Sequence, residues 1–303
     1  MPYLEIVLTL ARDQHAQAEQ ALEELGALAL TLADAAAETA DERAIFEPGV
    51  GATPLWPNVR LQALFDGAAD RRGLLAALGE LLPHLDPAAI ALREVPDQDW
   101  ERAWMDRYEP MRFGARLWVY PWNIEPDART ADDVVLRLDP GLAFGSGTHA
   151  TTALCLEWLE AQQLHGAQVL DYGCGSGILA IAALKLGAAA AVGVDNDPQA
   201  LLASADNAQR NGVAAHLQLY DAQDWPGRTC DVLVANILAA PLIELAPRLL
   251  AALRPRAPFA LSGILAAQAD AVAARYAALG AQQLAIATRE DWVRLSGLAP
   301  ALA

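Results

Sequence analysis

The chain has 303 residues, 54% of them apolar and 19% charged, with a formal net charge of −17. That length exceeds one typical domain, and the apolar content excludes a disordered chain. The charge argues against general binding to a phosphate backbone, whereas a basic partner would be attracted.

Residues 3 to 10 read as a strand, and Asp13 can cap a following helix that carries Ala18, Ala21, Leu22 and Leu25 on one face before Gly26 ends it. A strand at Leu28 to Leu32 follows, then a loop rich in Gly and Pro from Pro48 to Pro57. Val59 to Phe65 alternates like a strand, Leu74, Leu75, Leu78, Leu81 and Leu82 stripe a helix, and Ile90 to Val95 makes a last strand. The order βαββαβ is the split, ferredoxin-like arrangement, which hosts many unrelated functions. Trp100, Trp104 and Tyr108 then share one face of a short helix that Pro110 stops, so residues 97–127 read as a linker with a helix.

From about residue 130 strands and helices alternate. Strands are expected at Val134 to Leu138, 168–172, 191–195 and near 216–220, 231–236, 258–262, 283–287 and 292–297. Helices are expected at 150–163, 177–186, 198–210 and near 240–252 and 265–278. Such alternation implies a parallel sheet covered on both faces. The last two strands are separated only by Thr288 to Asp291, too short for a parallel crossover, so the final strand should run antiparallel.

The longest apolar runs, such as Ile178 to Leu184, fall short of the roughly 20 residues of a membrane-spanning helix. Met1 to Leu10 lacks the basic start and cleavage site of a secretory signal, so cytoplasm is the expected location. Cys155, Cys174 and Cys230 are far apart and read as reduced thiols, and the five histidines show no ligand spacing, so no metal site is expected.

The strongest signal is Val169-Leu170-Asp171-Tyr172-Gly173-Cys174-Gly175-Ser176-Gly177, a strand running into a glycine turn and a helix. Gly173 and Gly175 let the backbone approach a nucleotide-sized ligand beyond the carboxyl ends of the strands. The next strand ends at Asp195, placed to grip both ribose hydroxyls. Asp171 separates two readings, because its carboxylate would repel the pyrophosphate of a dinucleotide but attract the positive charge of S-adenosylmethionine. Asp221, after the strand Leu217 to Tyr220, is placed either to accept from an adenine amino group or to cap its own loop. Asn236 ends Val232-Leu233-Val234-Ala235 and offers both an acceptor and a donor to an incoming amine, which makes it the candidate catalytic residue. Upstream, Leu138 to Thr152 reads as a glycine-rich lid, or as an ordinary loop capping the helix that follows.

Four motifs in this order, GLAFGSGTHATT, DYGCGSGILAIAALKLGA, VDNDPQA and ANILAAPL, resemble the ribosomal protein L-eleven methyltransferase family (PrmA-type) over residues 97 to 303. The resemblance implies an S-adenosylmethionine-dependent protein methyltransferase that trimethylates lysine side chains and the N-terminal α-amine of one basic ribosomal protein. It implies a class I methyltransferase Rossmann-like doubly wound sheet over residues 128–303, and a smaller ferredoxin-like α+β domain over residues 1–96 that selects the substrate. Thr152, Gly173, Asp195 and Asn236 would be the cofactor contacts. The lid departs from the family's frequent Thr and Pro at Ser146 and Ala150. Two other classes stand beside this reading: a small-molecule N- or O-methyltransferase, and a non-catalytic nucleotide-binding module.

Overall fold

The computed structural model describes residues 2–37, 55–96, 109–126, 132–138 and 149–301. The helix expected around Trp100 to Tyr108, and the lid up to Thr148, lie outside the described residues. The chain divides into two compact units, Met1–Trp100 and Glu101–Ala303.

In the first unit β1 (Tyr3–Ala11), α1 (His15–Glu24), β2 (Ala29–Asp34), β3 (Asn58–Asp66), α2 (Arg71–Leu81) and β4 (Ile90–Val95) follow the expected order. The strands form one sheet in the order β2-β3-β1-β4, antiparallel throughout. Alternation decides its buried face: Leu4, Ile6, Leu8 and Leu10 of β1 and Val59, Leu61, Ala63 and Phe65 of β3 turn inward against Ala18, Leu22 and Leu78. Asp13 does not cap α1. It lies inside a 3₁₀ turn, Arg12–Gln14, so the helix starts later and takes Gln14 as its N-cap.

The second unit contains β5 (Met111–Phe113), β6 (Leu117–Tyr120), β7 (Val134–Arg137), α3 (Ala150–Glu160), β8 (Gln168–Tyr172), α4 (Ile178–Lys185), β9 (Ala190–Asp195), α5 (Pro198–Arg210) and β10 (Leu217–Asp221). It continues with β11 (Val232–Asn236), α6 (Ala239–Ala251), β12 (Pro258–Leu265), α7 (Ala269–Ala278), β13 (Gln282–Arg289) and β14 (Trp292–Leu298). Seven strands make the main sheet in the order β10-β9-β8-β11-β12-β14-β13. Its pairs are parallel except those of β14, which is antiparallel to both neighbours. The expected doubly wound architecture, with its reversed last strand, is the one observed.

Part of the segment read as a linker belongs to this unit. β5 pairs with β6 and β6 with β7 in a small second sheet, and Phe113, Leu117, Val119 and Leu136 are buried in the same core as α3 and α4. Strands of three and four residues give too little alternation to be recognised from sequence. α4 buries all seven residues from Ile178 to Leu184, as a helix that is apolar on every face must. Among the described residues no helix is long and apolar enough to cross a membrane.

Candidate functional site

β8 and β11 are neighbours, but the chain leaves β8 for β9 and β10 on one side and returns to build β11 and β12 on the other. The carboxyl ends of these two strands therefore flank the switch point, where an open α/β sheet leaves a crevice. The glycine turn that follows β8 is held from three directions. Gly173 N and Cys174 N donate to Val194 O at 2.7 and 3.1 Å. Ser204 Oγ donates to Gly175 O and Asn207 Nδ2 to Ser176 O, each at 2.9 Å. Ser204 and Asn207 lie on α5, some thirty residues further along, and nothing in their local sequence marks them as supports of the turn.

Gly173 has φ 78°, and a Cβ built on it would come within 2.1 Å of Ile237 Cγ2. Across the crevice floor Gly263, φ 81°, sits in the β12 irregularity between Leu261 and Ile264. A Cβ there would lie 2.3 Å from Ile237 O. Ile237 is thus wedged between two backbones that only glycine lets come so close.

Two cavities open on this floor. The larger, about 530 Å³, has a polar edge at Thr151, Asp195, Asn196 and Asn236 and an apolar wall that includes Tyr172, Leu238, Pro241 and Trp292. The smaller, about 200 Å³, is lined by Thr152, the turn residues Gly173, Cys174 and Gly175, and the start of α4 at Ile178 and Leu179. Gly173, Asp195, Asn196, Asn236 and Ile237 line both. Five of the seven expected contacts therefore meet here: Thr152, Gly173, Gly175, Asp195 and Asn236.

Asp195 accepts one backbone N–H at each oxygen, from Gly175 at 2.8 Å and from Asp197 at 3.0 Å. A carboxylate has about four lone-pair sites, so each oxygen can still accept a hydroxyl. Asn236 Nδ2 donates to Thr152 Oγ1 at 3.3 Å, and Thr152 is fully buried in the first turn of α3. Asn236 Oδ1 is buried and finds no partner among the described residues.

Two expectations are corrected by position. Asp171 does not face the crevice: it is fully buried, lines neither cavity, and its Oδ2 accepts from Ala180 N at 3.0 Å in the first turn of α4. A helix N-terminus attracts a carboxylate, which is why this one turns beneath the glycine turn. Burial pushes its carboxyl up to about 7, against the lowering effect of the Ala180 N–H and with added repulsion from Asp195. Its Oδ1 has no partner among the described residues. Asp221 also lines neither cavity, and its Oδ1 closes its own loop by accepting from Gln223 N at 2.8 Å. The residue after it, Ala222, reaches the larger cavity instead.

His149 and Trp292 belong to the larger cavity; His149 falls inside the GLAFGSGTHATT motif with no role assigned to it there, and nothing in the sequence singles out Trp292. His149 is the N-cap of α3, with Nδ1 2.7 Å from Thr151 Oγ1, and its ring meets Trp292 edge-on at 4.9 Å. Burial lowers the imidazole below its ordinary value, partly countered by the Glu290 carboxylate.

The donor set fits S-adenosylmethionine. Asp195 keeps acceptor capacity for two hydroxyls, the Asn236 oxygen has no partner among the described residues, and the glycine turn keeps side chains clear of the ligand's approach. Among the described residues no cluster of three His, Cys, Asp or Glu suited to a metal ion is found.

A model of the family described as ribosomal protein L11 methyltransferase (PrmA) matches residues 2–299. The chain is 55% identical over 304 residues to a ribosomal protein L11 methyltransferase of Xanthomonas euvesicatoria pv. vesicatoria, covering 98% of this chain and 99% of the relative. It is 54% identical over 299 residues to one from Pseudomonas aeruginosa, covering 98% of each. A solved ribosomal protein L11 methylase from Lactobacillus delbrueckii subsp. bulgaricus superposes with a TM-score of 0.58 at 30% identity, covering 64% of this chain and 98% of that one.

Proposed function

We propose, from the premise that this chain belongs to the ribosomal protein L11 methyltransferase family, that it methylates amino groups of ribosomal protein L11, at lysine side chains and the N-terminal α-amine, up to three methyls on one nitrogen. The observation that carries the reading is Asn236 Oδ1: a buried acceptor with no partner among the described residues, on the wall shared by the two cavities.

When bound, S-adenosylmethionine supplies an electrophilic methyl group on a sulfonium centre. Thr152, Gly173, Gly175, Asp195 and Asn236 hold it, Asp195 through lone pairs that its backbone partners leave over and the glycines through unobstructed backbone. Asp171 lines neither cavity and serves the site only through its bond to Ala180 N at the start of α4. Asn236, fixed by Thr152, accepts an N–H of the incoming amine and so aims its lone pair, which is the main requirement of an in-line transfer.

A lysine with an ordinary pKa near 10.4 costs about 4.6 kcal/mol to present neutral at pH 7, at about 1.36 kcal/mol per unit, and an α-amine near 7.8 about 1 kcal/mol. The apolar wall of Tyr172, Leu238 and Pro241 reduces the lysine cost by disfavouring the charged amine. We assign proton loss to solvent before the amine docks. The net charge of −17 suits a basic protein partner and a cytoplasmic setting, and disfavours direct binding of nucleic acid. Substrate selection is assigned to residues 1–96, whose sheet has its own core.

Purified protein incubated with isotope-labelled S-adenosylmethionine and unmodified L11 should transfer label to L11, with trimethylated residues found by mass spectrometry. Residues 97–303 alone should bind S-adenosylhomocysteine in calorimetry yet fail to label L11. Cofactor binding without any transfer to L11 by the full chain would favour a small-molecule substrate or a non-catalytic role.

A further inference from the structure

We propose that Trp292 determines how far methylation proceeds, by holding the acceptor nitrogen against its indole ring once that nitrogen already carries methyl groups. The inference rests on the functional reading above, in which one amine is methylated repeatedly.

The chemistry of the acceptor changes at each round. A primary amine has two N–H groups and can donate to Asn236 Oδ1, but a neutral dimethylated amine has none. The polar edge of the larger cavity offers little in exchange. Its acceptors, Asp195 among them, cannot replace the lost bond because the dimethylated amine has no N–H to give, and Thr151 Oγ1 is paired with His149 Nδ1 at 2.7 Å. A methylated amine also carries apolar surface where the primary amine carried hydrogen, so its best partner is a polarisable face and not a fixed acceptor. The nitrogen becomes cationic as it takes up the methyl group, and an aromatic face attracts that developing charge whether the nitrogen bears hydrogens or methyl groups.

Two six-membered aromatic systems line the cavity, Tyr172 and Trp292. Tyr172 is 6% exposed and its ring is occupied by Trp225, edge-on at 5.7 Å, with β8 fixing it from below. Trp292 is only partly buried and opens β14 where that strand pairs with the end of β12, Leu265 opposite it. His149 packs edge-on against it at 4.9 Å and the Ala266 N–H donates to Asp291 O at 2.9 Å, so the ring sits on an anchored turn. Trp292 is absent from the smaller cavity formed by the glycine turn, which separates it from that end of the cofactor crevice.

The test uses full-length protein with Trp292→Leu and Trp292→Phe, and two substrates, unmodified L11 and L11 whose lysines have been reductively dimethylated. The expected result is a KM for dimethylated L11 raised about tenfold relative to that for unmodified L11 in Trp292→Leu, with Trp292→Phe in between and product stalling at one or two methyls. Binding of S-adenosylhomocysteine, measured by calorimetry, reports that each variant is folded. A Trp292→Leu enzyme that handles both substrates in the wild-type ratio overturns the inference. A tenfold loss of S-adenosylhomocysteine affinity overturns it too, by assigning Trp292 to the cofactor. Wild-type protein that fails to methylate unmodified L11 removes the functional reading itself, and the inference with it.

Discussion

Ile237 presses its Cγ2 into the space beside Gly173 where any other residue would carry a Cβ, 2.1 Å away. The contact joins the turn after β8 to the end of β11, and so sets the width of the crevice. Gly173→Ala should therefore fail in two ways. The left-handed backbone alone costs about 1–2 kcal/mol, and displacing Ile237 distorts the shared wall of both cavities. A lower melting temperature with S-adenosylhomocysteine affinity reduced at least tenfold is expected; an affinity equal to wild type would show that the wall yields freely.

Asn236 and Thr152 act as a pair. Asn236→Ala removes the unpaired acceptor and should lower kcat/KM about a hundredfold, the scale of a lost orienting group. Thr152→Val keeps the shape but leaves the Asn236 amide unanchored, so a smaller loss in kcat and about 1 kcal/mol of stability are expected. Steady-state kinetics with urea unfolding separates the two; equal losses in both variants would mean that Asn236 serves only as a structural partner.

Asp171 ties stability to pH. Its folded value of about 7 lies above that of an unfolded aspartate, near 3.9, so the native state keeps a proton that the unfolded chain has released. The stability this group contributes is complete below about pH 4 and is lost as pH rises to about 7. Asp171→Asn should flatten the stability profile across that window and melt above wild type at pH 8. Parallel melting curves for the two proteins from pH 4 to 8 would contradict the assignment.

Lysine methylation should accelerate from pH 7 toward pH 10, because the fraction of neutral amine rises through that range. The N-terminal α-amine, with its lower pKa, should level off earlier. Initial rates on L11 with and without a blocked N-terminus measure both limbs. A lysine profile that stays flat from pH 7 to 10 would point to deprotonation inside the site.

What could be read from sequence follows from how local each signal is. β8 and the glycine turn stand out because Val169 to Gly177 contains its whole instruction in nine residues. Asp171 could be placed at the end of its strand, but whether its carboxylate faced the ligand or the start of α4 depended on a helix N-terminus that only the folded chain positions. Asp221 was ambiguous for the opposite reason, since the bond to Gln223 N is as local as a contact can be and competes directly with a ligand. His149 at the start of α3 and Trp292 at the start of β14 meet across about 140 residues, and no window of sequence spans them. β5 and β6 escaped because a hairpin of seven strand residues turning at Gly114 has too short a rhythm to register.

β14 enters the sheet head first where every neighbour in the core arrives tail first. Its opening residue, Trp292, consequently reaches the same rim as the closing residues of β8 and β11. The residues proposed to hold the cofactor and the ring proposed to meet a methylated amine are therefore borne on distant stretches of chain. The hairpin that carries Trp292 is thus open to replacement with the glycine turn and Asp195 left as they are.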